Sequence, residues 1–124
     1  MVDTITEISG VRTFRCAPEG PRIATEADAL DLVGRLYWDE VELIVLPVER
    51  LAPEFFELST GVAGAITQKL LNYGFRLAIL GDIAPFTAGS AALAAYVAES
   101  NRGRQLWFVP DLDVLETRLG RAAA

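Results

Sequence analysis

Apolar residues in this chain form short unbroken runs that alternate with longer segments of mixed character. Three runs of four apolar residues, at 43–46, 77–80 and 106–109, contain no polar position and are typical of strands covered on both faces. Between and after these runs, apolar residues recur every three or four positions, as on one face of a helix. This spacing predicts helices over about 26–37, from the Ser59-Thr60-Gly61 segment to Tyr73, over 91–100, and after Asp111.

Residues that favour helix ends stand at the boundaries of these segments. Thr25 followed by Asp28 resembles a capping box, and Ser90 and Asp111 are suited to begin the last two helices. Gly74 stands where a helix C-terminal cap belongs. These residues therefore support the helices that the apolar spacing predicts.

The start of the chain has a different pattern. Two β-prone runs, 5–8 and 11–16, flank Ser9-Gly10 and predict a hairpin, whereas residues 83–89 are expected to form a loop. The predicted order is β-β-α-β-α-β-α-β-α. It indicates an α/β fold over residues 1–124 as one domain: a single mixed sheet, built from the N-terminal hairpin and parallel βαβ strands, with about four helices.

Composition removes several classes of function. The 124 residues include no histidine, which excludes a Ser/His/Asp triad and a Cys/His pair, and the usual zinc ligand sets are lacking. The net charge of −6 opposes binding to nucleic acid or to an anionic membrane surface. We therefore expect no metal, no cofactor, no nucleic-acid partner and no membrane association.

The single cysteine and the longest apolar run bear on location. Cys16 lies in a predicted strand, without a second cysteine, and is expected to be a buried structural thiol. The longest apolar run, 91–98, is far shorter than the ~20 residues that a spanning helix needs. Together these features predict a cytoplasmic protein.

Several segments resemble known families. The run 43–46, the segment Phe55 to Val62, the helix that follows and the run 76–81 look like the core of STAS domains, the fold of bacterial anti-sigma-factor antagonists and of sulfate-transporter tails; residues 107–115 resemble their closing strand and helix. Almost the whole chain resembles a small bacterial family named domain of unknown function 4180, whose role is not established. The segments that carry this second resemblance are 29–34, 53–56, 60–64, 68–69 with Tyr73, and 77–82.

The STAS resemblance implies a site at the second helix. In STAS antagonists an Asp-Ser-Ser-Gly run begins this helix, and a partner kinase phosphorylates its first serine. Ser59 takes that position here, with Leu58 in place of the aspartate and Thr60-Gly61 following. A phosphate at a helix N-terminus would be stabilised by free N–H groups and by the helix dipole. The alternative is that Ser59 or Thr60 caps the helix and that Gly61 allows close packing. The first hypothesis is thus a non-enzymatic regulatory or protein-interaction module of STAS-like type.

A second hypothesis follows from polar residues near strand ends. Parallel α/β sheets place their sites at the carboxyl ends of strands, where carboxylates can bind ligands or act as acid and base. This interpretation predicts a small-molecule-binding protein or a small enzyme, with these residues around one crevice beside Ser59: Glu49, Phe55, Glu57, Asp82 and Phe86.

Apolar groups that one chain cannot cover point to a protein partner. The predicted helix at 91–100 is apolar almost all round, which suits a helix buried on two sides. The opening hairpin leaves a sheet edge that a second copy could cover. A two-fold homodimer is therefore expected.

Overall fold

A five-stranded mixed sheet forms the centre of the computed structural model, which describes residues 2–123. The strands lie in chain order across the sheet; β1 and β2 are antiparallel and all later neighbours are parallel. The predicted α/β fold with one mixed sheet is confirmed. The strands are β1 (Thr4–Ile8), β2 (Val11–Arg15), β3 (Leu43–Pro47), β4 (Arg76–Leu80) and β5 (Leu106–Val109).

In the part of the chain that the structure describes, four long helices and one short helix lie between and after the strands. The predicted caps are present: the Thr25 hydroxyl and the Asp28 carboxylate form a capping box, Ser90 accepts from the Leu93 N–H, and Asp111 accepts from the Val114 N–H. Three 3-10 turns, Val48–Arg50, Pro53–Phe56 and Leu58–Thr60, link β3 to the next helix. The helices are α1 (Glu26–Leu36), α2 (Val62–Asn72), α3 (Ala84–Thr87), α4 (Ala91–Arg102) and α5 (Leu112–Ala123).

The segment 83–89 differs from the sequence prediction, because it contains α3 and is not a loop throughout. Pro85 lies in the first turn of this helix, where its missing N–H costs no hydrogen bond. The Asp82 carboxylate accepts a hydrogen bond from the Ala84 N–H at 2.9 Å, just ahead of that turn. Pro85 therefore marks the start of a helix and not a loop.

The two faces of the sheet are covered differently. Because consecutive strands are neighbours, right-handed crossovers place their helices on one face, and the core there joins α1, α2 and α4 to the sheet through Leu32, Ile66 and Leu93. Among the described residues, α5 is the helix that packs on the opposite face, through Leu115 and Leu119. Among residues 2–123 no helix combines the length and apolar character that crossing a bilayer requires.

Candidate functional site at Ser59

The chain between β3 and α2 folds back on the helical face of the sheet through two aromatic residues. Phe55 is fully buried, and its neighbour Phe56 stacks on Phe86 with ring centroids 4.1 Å apart and an interplanar angle of 10°. In a 3-10 turn, adjacent side chains point in different directions. Both rings are nevertheless buried in the core of the helical face, and the Phe56 ring also contacts α3 through Phe86.

The start of α2 is made by Thr60 and Gly61. The Thr60 hydroxyl accepts a hydrogen bond from the Val62 N–H at 3.2 Å and lies 2.7 Å from the Glu57 carbonyl oxygen. Gly61 takes the N-cap position with φ = +77°, a conformation that favours glycine. The hydrogen bonds at this helix start come from Thr60, and none of them uses the Ser59 hydroxyl.

Ser59 is exposed and lines a cavity of about 530 Å³ between the Pro53–Phe56 turn and α3. Apolar rings form much of this cavity, and Glu57 contributes a carboxylate. We call it the Ser59 cavity; its lining includes Phe56, Glu57, Leu58, Ser59, Phe86 and Ser90.

The predicted crevice residues do not all meet at this cavity. Glu57, Ser59 and Phe86 line it together, whereas Phe55 is enclosed in the core. The Asp82 carboxylate accepts a hydrogen bond from the Ala84 N–H at the start of α3. Glu49 lines a different cavity, of about 430 Å³, together with Asp111 and Asp113. The structure therefore divides the proposed carboxylates among three places.

The reason for this division is the long link between β3 and α2, which separates Glu49 in its first turn from Glu57 just before its last turn. Glu49 lies in the 3-10 turn that directly follows β3, before the chain turns back over the helical face. Pro47 and Leu80 line the same cavity as Glu49, which places it at the carboxyl ends of β3 and β4. Within residues 2–123, no group of three or more acidic or cysteine side chains is arranged to hold a metal ion.

The electrostatic surroundings of the α2 N-terminus are also distinct. The first turn of α1 carries Glu26 and Asp28, while the first turn of α2 carries no acidic residue. The positive end of the α2 dipole is therefore not neutralised by a carboxylate of its own first turn. An anionic group on Ser59, two residues before the N-cap, would lie near this helix end.

The sequence predicted three of the ten residues that line the Ser59 cavity: Glu57, Ser59 and Phe86. The predicted crevice residue Phe55 does not line the cavity, whereas its neighbour Phe56 does, and nothing in a Phe-Phe pair tells which ring borders a cavity. Pro85 and Ser90 were assigned to a loop and to a cap, although both also line the cavity. Pro85, which can begin a helix, was the sequence signal for α3. That helix carries Phe86 against Phe56 of the Pro53–Phe56 turn.

Cys16 is a buried thiol in the structure. It is 2% exposed, and burial, with a smaller contribution from the Asp3 charge, raises its pKa to about 12. The thiol therefore stays protonated at neutral pH and is a poor nucleophile.

The architecture defines a class: an α/β protein with a mixed sheet in sequential strand order, one face covered by crossover helices and the other by a single C-terminal helix. The sequence profile of the family described as Domain of unknown function (DUF4180) matches residues 8–119, and the chain belongs to this family. Neither the curated proteins nor the solved structures contain a significant match to it.

Proposed function

We propose that this protein is a non-enzymatic protein-interaction module of STAS-like type, regulated by phosphorylation of Ser59. The observation that carries the proposal is the position of Ser59: exposed, at the edge of the Ser59 cavity, and next to an α2 start that Thr60 and Gly61 already cap. Because capping does not require the Ser59 hydroxyl, that hydroxyl is available for modification. The resemblance of this segment to the phosphorylated helix start of STAS antagonists points the same way.

Phosphorylation would change both charge and access at this surface. A phosphate adds a charge of about −1.5 to −2 and three acceptor oxygens. The α2 N-terminus would stabilise it, while Glu57 beside it would repel it. In the unmodified protein, the Ser59 cavity, whose lining includes Phe56 and Phe86, would receive an apolar side chain of a partner protein. A phosphate at the edge of that cavity would oppose entry of an apolar or acidic segment.

The same proposal includes a bacterial cytoplasmic setting, as for the antagonists that the chain resembles. The lone buried thiol of Cys16 is consistent with a reducing compartment. The net charge of −6 favours a protein partner over a nucleic acid.

The proposal is tested by mass spectrometry and affinity capture from the source cell. We expect a phosphopeptide that contains Ser59, and a partner that is captured by the wild type and lost with Ser59→Glu. Thr117→Glu is the matched control, since it places the same charge at an exposed hydroxyl on α5. Absence of Ser59 phosphate, together with equal capture by wild type and Ser59→Glu, would refute regulation at this site.

A second candidate function is that of a small-molecule-binding protein or a small enzyme, with its ligand in the same cavity. Its volume of about 530 Å³ lies within the range of known ligand pockets, and it combines aromatic walls with Glu57 and Ser59. The test is a thermal-shift screen of metabolites against the wild type and Phe86→Trp, whose larger ring would occupy the cavity. A metabolite that stabilises only the wild type would favour this candidate over the interaction module.

A further inference from the structure

The sheet face opposite the Ser59 cavity is covered by α5 along a diagonal. This helix begins at Leu112, beyond the carboxyl end of β5. Near its middle, the Glu116 carbonyl accepts a hydrogen bond from the Ser9 hydroxyl at 3.0 Å. Ser9 lies in the β1–β2 turn, at the amino end of β2, so α5 runs from one corner of the sheet toward the opposite corner. At the carboxyl ends of β2 and β4, Arg15 and Leu80 are only partly buried on this face, and Pro47 at the end of β3 lies buried between them.

This corner of the sheet borders a cavity of about 360 Å³. Strand register brings its lining together, because Thr4 pairs with Arg15 across β1 and β2, and Pro47 pairs with Leu80 across β3 and β4. We call it the corner cavity; it is lined by Thr4, Arg15, Cys16, Pro18, Pro47 and Leu80, among others.

Arg15 is the charged residue of this lining, and no carboxylate within residues 2–123 forms an ion pair with it. Its side chain is half-buried. The Asp3 carboxylate forms ion pairs with Arg50, at 2.7 Å, and with Arg35, at 3.9 Å. The Cys16 thiol is neutral at pH 7, as its raised pKa shows. A guanidinium remains charged at any physiological pH, and a partly desolvated one is stabilised by an anion.

A second cavity adjoins the corner cavity and limits the number of negative charges that a bound anion can carry. The cavity that contains Glu49 shares Pro18, Pro47 and Leu80 with the corner cavity, and its far side carries Asp111 and Asp113. A ligand that extends from Arg15 across Pro47 and Leu80 therefore meets carboxylates at its other end. A second negative charge on the ligand would be repelled there.

We propose that the corner cavity binds a small molecule with one carboxylate and an apolar body. The carboxylate pairs with the Arg15 guanidinium, and the body packs on Pro18, Pro47 and Leu80. A charge-assisted hydrogen bond to Arg15 selects the anion, since such bonds are about twice as strong as neutral ones. The adjoining acidic residues select a monocarboxylate over a dicarboxylate. This site lies on the other face of the sheet from the Ser59 cavity and is independent of the function proposed above.

The test is an NMR titration of the full chain with three probes that share a six-carbon body: hexanoate, hexylamine and adipate. Hexanoate is expected to give saturable shift changes at the amides of Arg15, Cys16, Ala17 and Gly81, with a Kd of roughly millimolar order for a ligand of this size. Hexylamine and adipate are expected to bind at least about tenfold more weakly at these amides. Equal binding of hexylamine, or no saturable change with hexanoate, would overturn the proposal.

Three variants separate a built site from weak general association. Arg15→Gln is expected to weaken hexanoate binding about tenfold or more, because it removes the cationic partner. Arg121→Gln, on the exposed end of α5, makes the same change in net charge and is expected to leave the Kd unchanged. Thr4→Trp fills the cavity from an exposed position of β1, where an aromatic residue is well tolerated, and is expected to abolish binding. Binding unaffected by Arg15→Gln or Thr4→Trp would place hexanoate elsewhere and refute the site.

Discussion

A single buried arginine joins the N-terminal segment to the end of β3. Arg50 is 3% exposed, and its guanidinium donates to the Pro21 carbonyl at 2.6 Å, the Ala17 carbonyl at 2.9 Å and the Asp3 carboxylate at 2.7 Å. A buried cation is tolerated only when paired and hydrogen-bonded, and these three acceptors supply both conditions. The link between β2 and α1 is therefore held by hydrogen bonds as well as by apolar packing.

Gly20 allows this arginine to pass close to the backbone. A Cβ at position 20 would collide with the Arg50 guanidinium. Gly20→Ala is therefore expected to lower the free energy of unfolding by about 1–3 kcal/mol, as steric conflicts in a packed interior do. Urea denaturation measures the change. Gly34→Ala is the matched control: a Cβ there meets no atom within 4 Å, and the position lies inside α1, so this variant is expected to gain about 0.5–1 kcal/mol. A Gly20→Ala variant as stable as the wild type would contradict the account of Arg50.

Ionisation of the Asp3 carboxylate makes the stability of the fold depend on pH. Burial raises its pKa, but hydrogen bonds from Arg50 and from the Ala17 N–H outweigh that effect, and the pKa lies below the usual 3.8. Since the pKa is lower in the folded state, the ionised carboxylate stabilises the fold above about pH 4, and this contribution is lost as the pH falls through the lowered pKa.

Asp3→Asn is therefore expected to be about 1–3 kcal/mol less stable than the wild type at pH 6, the usual range for a hydrogen bond to a charged group. The difference should shrink as the pH falls from 4 toward the folded-state pKa. Unfolding free energies measured from pH 6 down to pH 2.5 check this expectation, with Asp31→Asn, an exposed carboxylate on α1, as control. A constant difference across the whole range would show that Asp3 acts through its shape and not through its charge.

At the scale of elements, local signals predicted most of the fold. Unbroken apolar runs marked β3, β4 and β5 to within a residue at each end, because strands buried on both faces carry no polar position. Thr25, Ser90 and Asp111 marked helix starts, because a cap hydrogen bond is made within four residues. Such features depend on neighbours in the chain, which a sequence displays directly.

The candidate site was predicted less completely, because it depends on contacts between distant segments. The stacking of Phe56 on Phe86 joins residues thirty positions apart, and no local pattern selects Phe56 over Phe55. The prediction grouped Glu49, Glu57 and Asp82 on the rule that strand ends meet at one edge. The link after β3 instead carries Glu49 and Glu57 to different cavities, and Asp82 accepts a hydrogen bond at the start of α3.

The edge strand β5 is protected by the helix that precedes it. The Asn101 side-chain oxygen, at the end of α4, accepts a hydrogen bond from the Phe108 N–H at 2.8 Å. This contact satisfies a backbone donor that would otherwise be open to another chain. The Arg118 guanidinium of α5 donates to the Asn101 carbonyl at 2.6 Å and so joins α5 to the end of α4.

Asn101→Ala is expected to cost about 1–3 kcal/mol, because it leaves a partly buried N–H without its partner, and to increase aggregation through β5. Thermal unfolding and light scattering measure the two effects. Asn72→Ala removes an amide of the same kind, which accepts from Gln68 on the exposed face of α2, and is expected to change stability by less than about 0.5 kcal/mol. Equal effects of the two substitutions would argue against protection of the edge by Asn101.

At the scale of the whole molecule, two surfaces remain available for a second copy. Of α4, only Leu93 is buried, and Tyr96 and Val97 are half-buried, so its small apolar residues face outward: Ala91, Ala92, Ala94, Ala95 and Ala98. At the other end of the sheet, β1 is an edge strand with four of its five residues exposed. The chain therefore covers the side of this apolar helix that carries Leu93, and the side that carries the alanines is exposed.

A two-fold homodimer that packs α4 against α4 would cover this alanine face, since small residues let two helices approach closely and self-complementary contacts are the rule in dimers. Sedimentation velocity at micromolar concentration is expected to show a species of twice 13.5 kDa. Ala95→Arg and Ala94→Arg should convert it to monomer without loss of the folded circular-dichroism spectrum, because both residues are exposed within one chain. Ala27→Arg, an equal change on exposed α1, should leave the dimer intact. If the wild type sediments as a monomer, the alanine face is simply solvated; if a dimer resists both α4 variants, the edge strand β1 becomes the surface to test, since pairing there would extend the sheet across two copies.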